Sequence, residues 1–157
     1  MKVTVIKINK QTVPDPVSAN ETGTLQIVRP ETLENSAENR VKILIVDDDE
    51  TILRMLTGIL KREGFAPVAS KTGFEAMKVL SSSQVDIVLS DIEMPGMSGL
   101  ELLEYLKERY PSVPVMLMTG NRGLYCEFEI LEAGANGFLT KPFRRAELVT
   151  RVKALCR

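Results

Sequence analysis

From Val41 onward the sequence alternates short apolar runs with segments of helical period, and that alternation leaves few folds open. The runs are VKILIV, APVAS, VDIVLS, VPVMLMTG and GFLT, starting at residues 41, 66, 85, 113 and 137. VKILIV is a compact run rich in β-branched residues, as expected of a strand covered on both faces. Between the runs, apolar residues recur every three or four positions. Leu53, Leu56 and Leu60 share one side of a helix that Gly64 closes. Thr72 with Glu75, and Ser98 with Glu101, have the spacing of capping boxes. A helix is predicted from about 123 to 133 with Leu124, Phe128 and Leu131 facing inward. The last helix carries Leu148, Val152 and Leu155 on one stripe. Five strands alternating with five helices make an α/β fold with a parallel sheet covered on both faces, joined by right-handed crossovers. In such sheets the working site lies beyond the carboxyl ends of the strands.

Those ends collect charged and polar groups. The first strand ends in Asp47, Asp48 and Asp49, the third in Asp91, the fourth in Thr119 and Gly120, and the fifth runs into Lys141. Asp49, directly before a helix, reads as its N-cap. Like charges brought together raise one another's pKa unless a cation intervenes, and a hard divalent ion with oxygen ligands is the natural compensation. The chain has no histidine, and its two cysteines, Cys126 and Cys156, form no ligand pattern. That argues against zinc and for Mg²⁺, with Mn²⁺ as the alternative. A carboxylate beside such an ion can attack phosphorus and form an aspartyl-phosphate, with the lysine and the hydroxyl holding the phosphoryl oxygens. Met94, Met97, Met116 and Met118 read as core and turn filler.

These residues, in the motifs ILIVDDDE, DIVLSDIEMPGMSGLELL, PVMLMTG and GANGFLTKPF, resemble the response-regulator receiver domains of two-component systems, particularly the single-domain chemotaxis regulators. The resemblance covers about 41–157. It implies a flavodoxin-like, doubly wound sheet in the order 2-1-3-4-5. It implies Asp91 as phosphoacceptor, with Lys141 and Thr119 contacting the phosphoryl group. Asp48 would ligate Mg²⁺ directly and Asp47 mainly through water, alongside Asp91 and the backbone carbonyl of Glu93. Thr119 and Phe138 would be the switch pair, and the Lys141–Pro142 bond cis. Glu93 and Asn121 stand at two positions that influence phosphoryl lifetime in the family. The carboxylate of Glu93 either orients water or repels an approaching anion, and the sequence does not choose between them.

The same resemblance implies a sensor histidine kinase or phosphotransfer protein as donor, and a protein effector read through the face of the fourth helix, fifth strand and fifth helix. It implies a phosphoacceptor signalling domain that promotes its own aspartyl phosphorylation and dephosphorylation rather than an enzyme. The sequence ends at Arg157 with the fifth helix, and the expectation is a stand-alone regulator or a receiver separated from an output domain. A net charge of −1 gives no pull toward nucleic acid, no apolar run reaches transmembrane length and the two cysteines form no ligand pattern, so a cytoplasmic protein is expected, which the resemblance would make a monomer or weak homodimer. Residues 1–40, rich in Pro, Asn, Thr and Glu, read as an N-terminal extension, either a tail or a hairpin formed by KVTVIKI and TLQIVR. Two other classes compete. A phosphohydrolase with an aspartyl nucleophile would use Asp47-x-Asp49, but leaves Asp91 and Lys141 unexplained. A flavin module would meet three repelling aspartates where it needs a phosphate loop.

Overall fold

The structure, a computed structural model, describes residues 40–156. Five strands, β1 (Lys42–Val46), β2 (Ala66–Ser70), β3 (Ile87–Asp91), β4 (Val115–Thr119) and β5 (Gly137–Thr140), alternate with five helices, α1 (Glu50–Arg62), α2 (Gly73–Ser82), α3 (Gly99–Arg109), α4 (Glu127–Glu132) and α5 (Arg145–Leu155). The strands form one parallel sheet in the order β2-β1-β3-β4-β5. The extension expected over 1–40, including both of its candidate strands, lies outside the described residues apart from Arg40. Among the described residues no helix is long and apolar enough to cross a membrane.

The period of two along each strand divides the core in two. Leu44, Val46, Val88, Val115, Leu117 and Phe138 point to the side of α2, α3 and α4, where Ala76, Leu80, Leu102, Leu106 and Ile130 meet them. Ile43, Ile45, Ile87, Leu89, Met116 and Met118 point to the side of α1 and α5, against Leu53, Leu56, Leu60, Leu148 and Val152. Each such Leu or Ile, withdrawn from water, stabilises the fold by about 1.5–3 kcal/mol before entropy is counted. Met94, Met116 and Met118 are buried and Met97 is partly buried, as filler should be.

Helix starts follow the sequence closely. The Asp49 carboxylate accepts from Thr51 N at 2.7 Å, and Ser98 and Glu101 close a full capping box at 3.2 and 2.8 Å. The box expected at Thr72 forms only by half. Thr72 Oγ1 accepts from Glu75 N, but the Glu75 carboxylate reaches Lys71 N instead of the cap residue. The fourth helix departs further. Asn121 holds a turn, its carbonyl accepting from Leu124 N and its side chain from Gly123 N, so α4 starts only after Cys126. Turning the shorter helix this way buries Ile130 and leaves Leu124 and Phe128 62% and 68% exposed, with Leu131 exposed as well. The inward stripe read from the sequence was the outward one.

Two glycines shape the connection from β3 to α3. Gly96 adopts φ +80°, a left-handed turn open to a residue without Cβ. Gly99 lies so close to the end of β3 that an added Cβ would fall 2.1 Å from the Asp91 carbonyl oxygen. Helix α3 can therefore start against the strand that carries Asp91 only because position 99 has no side chain. Gly99→Ala is expected to lower stability by about 1–3 kcal/mol in urea titration, the usual cost of overpacking. Gly58→Ala, in the interior of α1 with nothing within 4 Å, is expected to raise it by about 0.5–1 kcal/mol.

Candidate functional site

Strand register brings the polar ends to one edge. Val46 is paired with Ser90, so Asp47 and Asp91, each one residue further on, leave the sheet at the same level. Asp91 is paired with Met118 and Thr119 with Thr140, which sets Thr119 and Lys141 one and two steps beyond. Lys141 N donates to the Thr119 carbonyl at 2.7 Å, and the Lys141–Pro142 bond is cis. The Lys141 ammonium spans 94 residues of sequence to Asp47 Oδ2, 2.6 Å away, and lies 3.1 Å from Asp91 Oδ1.

Asp47, Asp48 and Asp91 each offer a carboxylate oxygen within 4.8 Å of the others. Asp47 and Asp91 are buried and Asp48 is exposed. Asp49 is not part of the group, because its carboxylate caps α1. That removes the Asp-x-Asp pair a hydrolase of the aspartyl class would need. Burial is what most disturbs Asp91, 4% exposed: it pushes the carboxyl from the usual 3.8 up to about 6. The Lys141 charge pulls it down, and the Asp47 and Glu93 charges push it up. Burial by itself would lower the Lys141 ammonium, but the two aspartates more than offset it and hold it above its ordinary value.

A hard divalent cation fits this donor set. All three donors are carboxylates, one of them faces solvent, and the buried Asp91 Oδ1 has no hydrogen-bond partner among the described residues, with the Lys141 ammonium 3.1 Å away as a charge. Lys141 supplies one positive charge to three negative ones, so a cation would relieve what the lysine leaves uncompensated.

Thr119 is fully buried, and its hydroxyl donates to Glu93 Oε2 at 3.1 Å. Gly120 N donates to the same oxygen at 3.4 Å, and Asn121 N donates to Thr119 Oγ1 at 3.0 Å. Phe138 is buried in the core on the α4 side. The sequence marked Glu93 by its place two residues past Asp91, but a side-chain contact across 26 residues depends on β3 lying beside β4. Gly99 carries little signal in the chain beyond the Ser-Gly that opens the third helix.

A doubly wound parallel sheet with three carboxylates, a lysine and a threonine hydroxyl at one edge defines the receiver class of signalling domain. The sequence pattern of the response regulator receiver domain matches residues 43–153, and the chain belongs to that family, part of two-component signalling. It is 36% identical over 118 residues, 74% of this chain, to a putative NtrX-like response regulator of Rickettsia bellii. To the DNA-binding transcriptional regulator NtrC of Proteus hauseri it is 41% identical over 101 residues, 64% of this chain. The matches span 25% and 21% of the length of those two relatives. Among solved structures, a putative response regulator from Chloroflexus aurantiacus J-10-fl superposes with a TM-score of 0.70 at 31% identity, covering 75% of this chain and 98% of that one.

The raised Asp91 has a sign that can be measured. An acid whose folded pKa of about 6 exceeds its unfolded value favours folding while protonated, and that contribution fades as pH rises from about 4 through 6. In chelator, Asp91→Asn is expected to be more stable than wild type at pH 7.5 by about 1–3 kcal/mol, the difference closing toward pH 4. Paired urea titrations across that range read it directly.

Proposed function

We propose that this receiver domain accepts a phosphoryl group on Asp91, in a Mg²⁺-dependent transfer from a sensor histidine kinase or phosphotransfer protein. The observation that carries the reading is the buried Asp91 carboxylate. Its Oδ1 lacks a hydrogen-bond partner, and the Lys141 ammonium and the Asp47 and Asp48 carboxylates surround it. Asp47, Asp48, Asp91 and the Glu93 carbonyl are the groups that would hold Mg²⁺. Bound there, it would offset negative charge shared by the carboxylates and the incoming phosphoryl group.

Chemically, an Asp91 oxygen forms a bond to phosphorus while the phosphorus–nitrogen bond of a phosphohistidine breaks, and the departing imidazole nitrogen takes a proton. Lys141 stays beside Asp91 and meets the transferred oxygens as a fixed positive charge. Thr119 gives its hydroxyl to one of them. Phe138 is already buried, so the readout needs no swing of that ring from solvent. The repacking starts where Thr119 leaves its present partners and passes to the face of α4, β5 and α5. There, exposed Leu124 and Phe128 lie near the Arg151–Glu127 pair that links α5 to α4, a surface suited to a protein effector. Coupling of this kind is a local charge event biasing a two-state element. Self-catalysed phosphorylation and dephosphorylation belong to the same reading.

Incubation with phosphoramidate and Mg²⁺, followed by intact mass, is expected to add one phosphoryl group to wild type and none to Asp91→Asn or to wild type in chelator. A labelled Asp91→Asn protein would move the acceptor elsewhere. Steady turnover of a simple phosphate ester would favour a hydrolase instead.

A further inference from the structure

The Glu93 carboxylate takes up two donors at the end of β4: the Thr119 hydroxyl, which the proposed transfer would send to a phosphoryl oxygen, and the neighbouring Gly120 amide. Both donors come from consecutive residues and converge on a single oxygen: Thr119 Oγ1 at 3.1 Å and Gly120 N at 3.4 Å meet Glu93 Oε2. The single donor of the Thr119 hydroxyl is spent on Glu93, and the oxygen also accepts from Asn121 N at 3.0 Å. Glu93 thus fastens the loop after β3 to the loop that leads into α4. The carboxylate itself sits on an exposed residue, so once displaced it is rehydrated, and its release costs little beyond the contacts it gives up.

We propose that Glu93 is a positioning residue that acts as an internal stand-in for the phosphoryl group, holding Thr119 and Gly120 until phosphorylation evicts it. The inference rests on Asp91 being the acceptor. It selects between the roles the sequence left open, since a carboxylate bound to these two donors neither orients water over Asp91 nor acts mainly through distant repulsion. Phosphorylation becomes an exchange of one anion for another on a shared donor pair, and the exchange frees the β3–α3 loop from the β4–α4 loop in the same step.

Two substitutions separate contact from charge. Glu93→Ala removes both. Glu93→Gln keeps an acceptor oxygen of the same reach and removes the charge. At limiting phosphoramidate with Mg²⁺, Glu93→Ala is expected to label about tenfold faster than wild type, with Glu93→Gln between them, on the order expected for loss of charge-assisted hydrogen bonds. The gain should persist in high salt, where plain repulsion would be screened. In protein free of donor and metal, the Gly120 amide and Thr119 methyl resonances are expected to move strongly in Glu93→Ala and less in Glu93→Gln. A Glu93→Ala protein that labels no faster than wild type overturns the proposal, and so does a gain that vanishes in salt. Unmoved Gly120 and Thr119 resonances overturn it as well. If wild type takes no label, or Asp91→Asn does, the phosphoacceptor reading fails instead, and the resonances still decide whether Glu93 holds these donors.

Discussion

The site depends on one ammonium group reaching across the sheet. Lys141, from the loop after β5, contacts Asp47 beyond β1 and Asp91 at the end of β3. Two buried carboxylates at this spacing would otherwise repel each other in a poorly polarisable setting. The lysine does not close the balance, however. Three acidic groups share its charge, one buried oxygen lacks a hydrogen-bond partner, and Asp91 is driven toward its protonated form. The fold can carry this strain because hydrophobic burial on both faces of the sheet holds the strands whatever the site does.

That division of labour explains the geometry around Asp91. The carboxylate is aimed by the backbone of a strand buried along its whole length, not by a mobile loop. Gly99 lets α3 start against that strand without pushing it aside. The capping box at Ser98 fixes where the helix begins, so the turn between Asp91 and α3 has little freedom. Glu93 lies within that turn, and this is why its side chain can reach across to the end of β4. A rigid strand, a tight turn and an exposed carboxylate together put a negative charge against the Thr119 hydroxyl and the Gly120 amide.

How much of this was legible in the chain depended on the range of the signal. Strand runs, Asp49 as a cap and the Ser98 box are local, and each stands as read, because neighbouring residues decide them. The fourth helix departs from its sequence pattern because its periodicity is ambiguous over a few residues. Asn121 captured the first turn, and tertiary packing chose Ile130 over Leu124, Phe128 and Leu131 as the buried side chain. The half-formed box at Thr72 has a similar cause: the Glu75 carboxylate accepts from Lys71 N, one residue before the cap.

The sequence by itself determined that acids, a hydroxyl and a lysine stand at successive strand ends, because alternation of strands and helices fixes which residues terminate strands. Only the tertiary structure decided which of these groups touch. Asp47 meets Lys141 across 94 residues and Glu93 meets Thr119 across 26. Such contacts follow from strand order and register, and no local pattern encodes the distance between two segments until the sheet has brought them side by side.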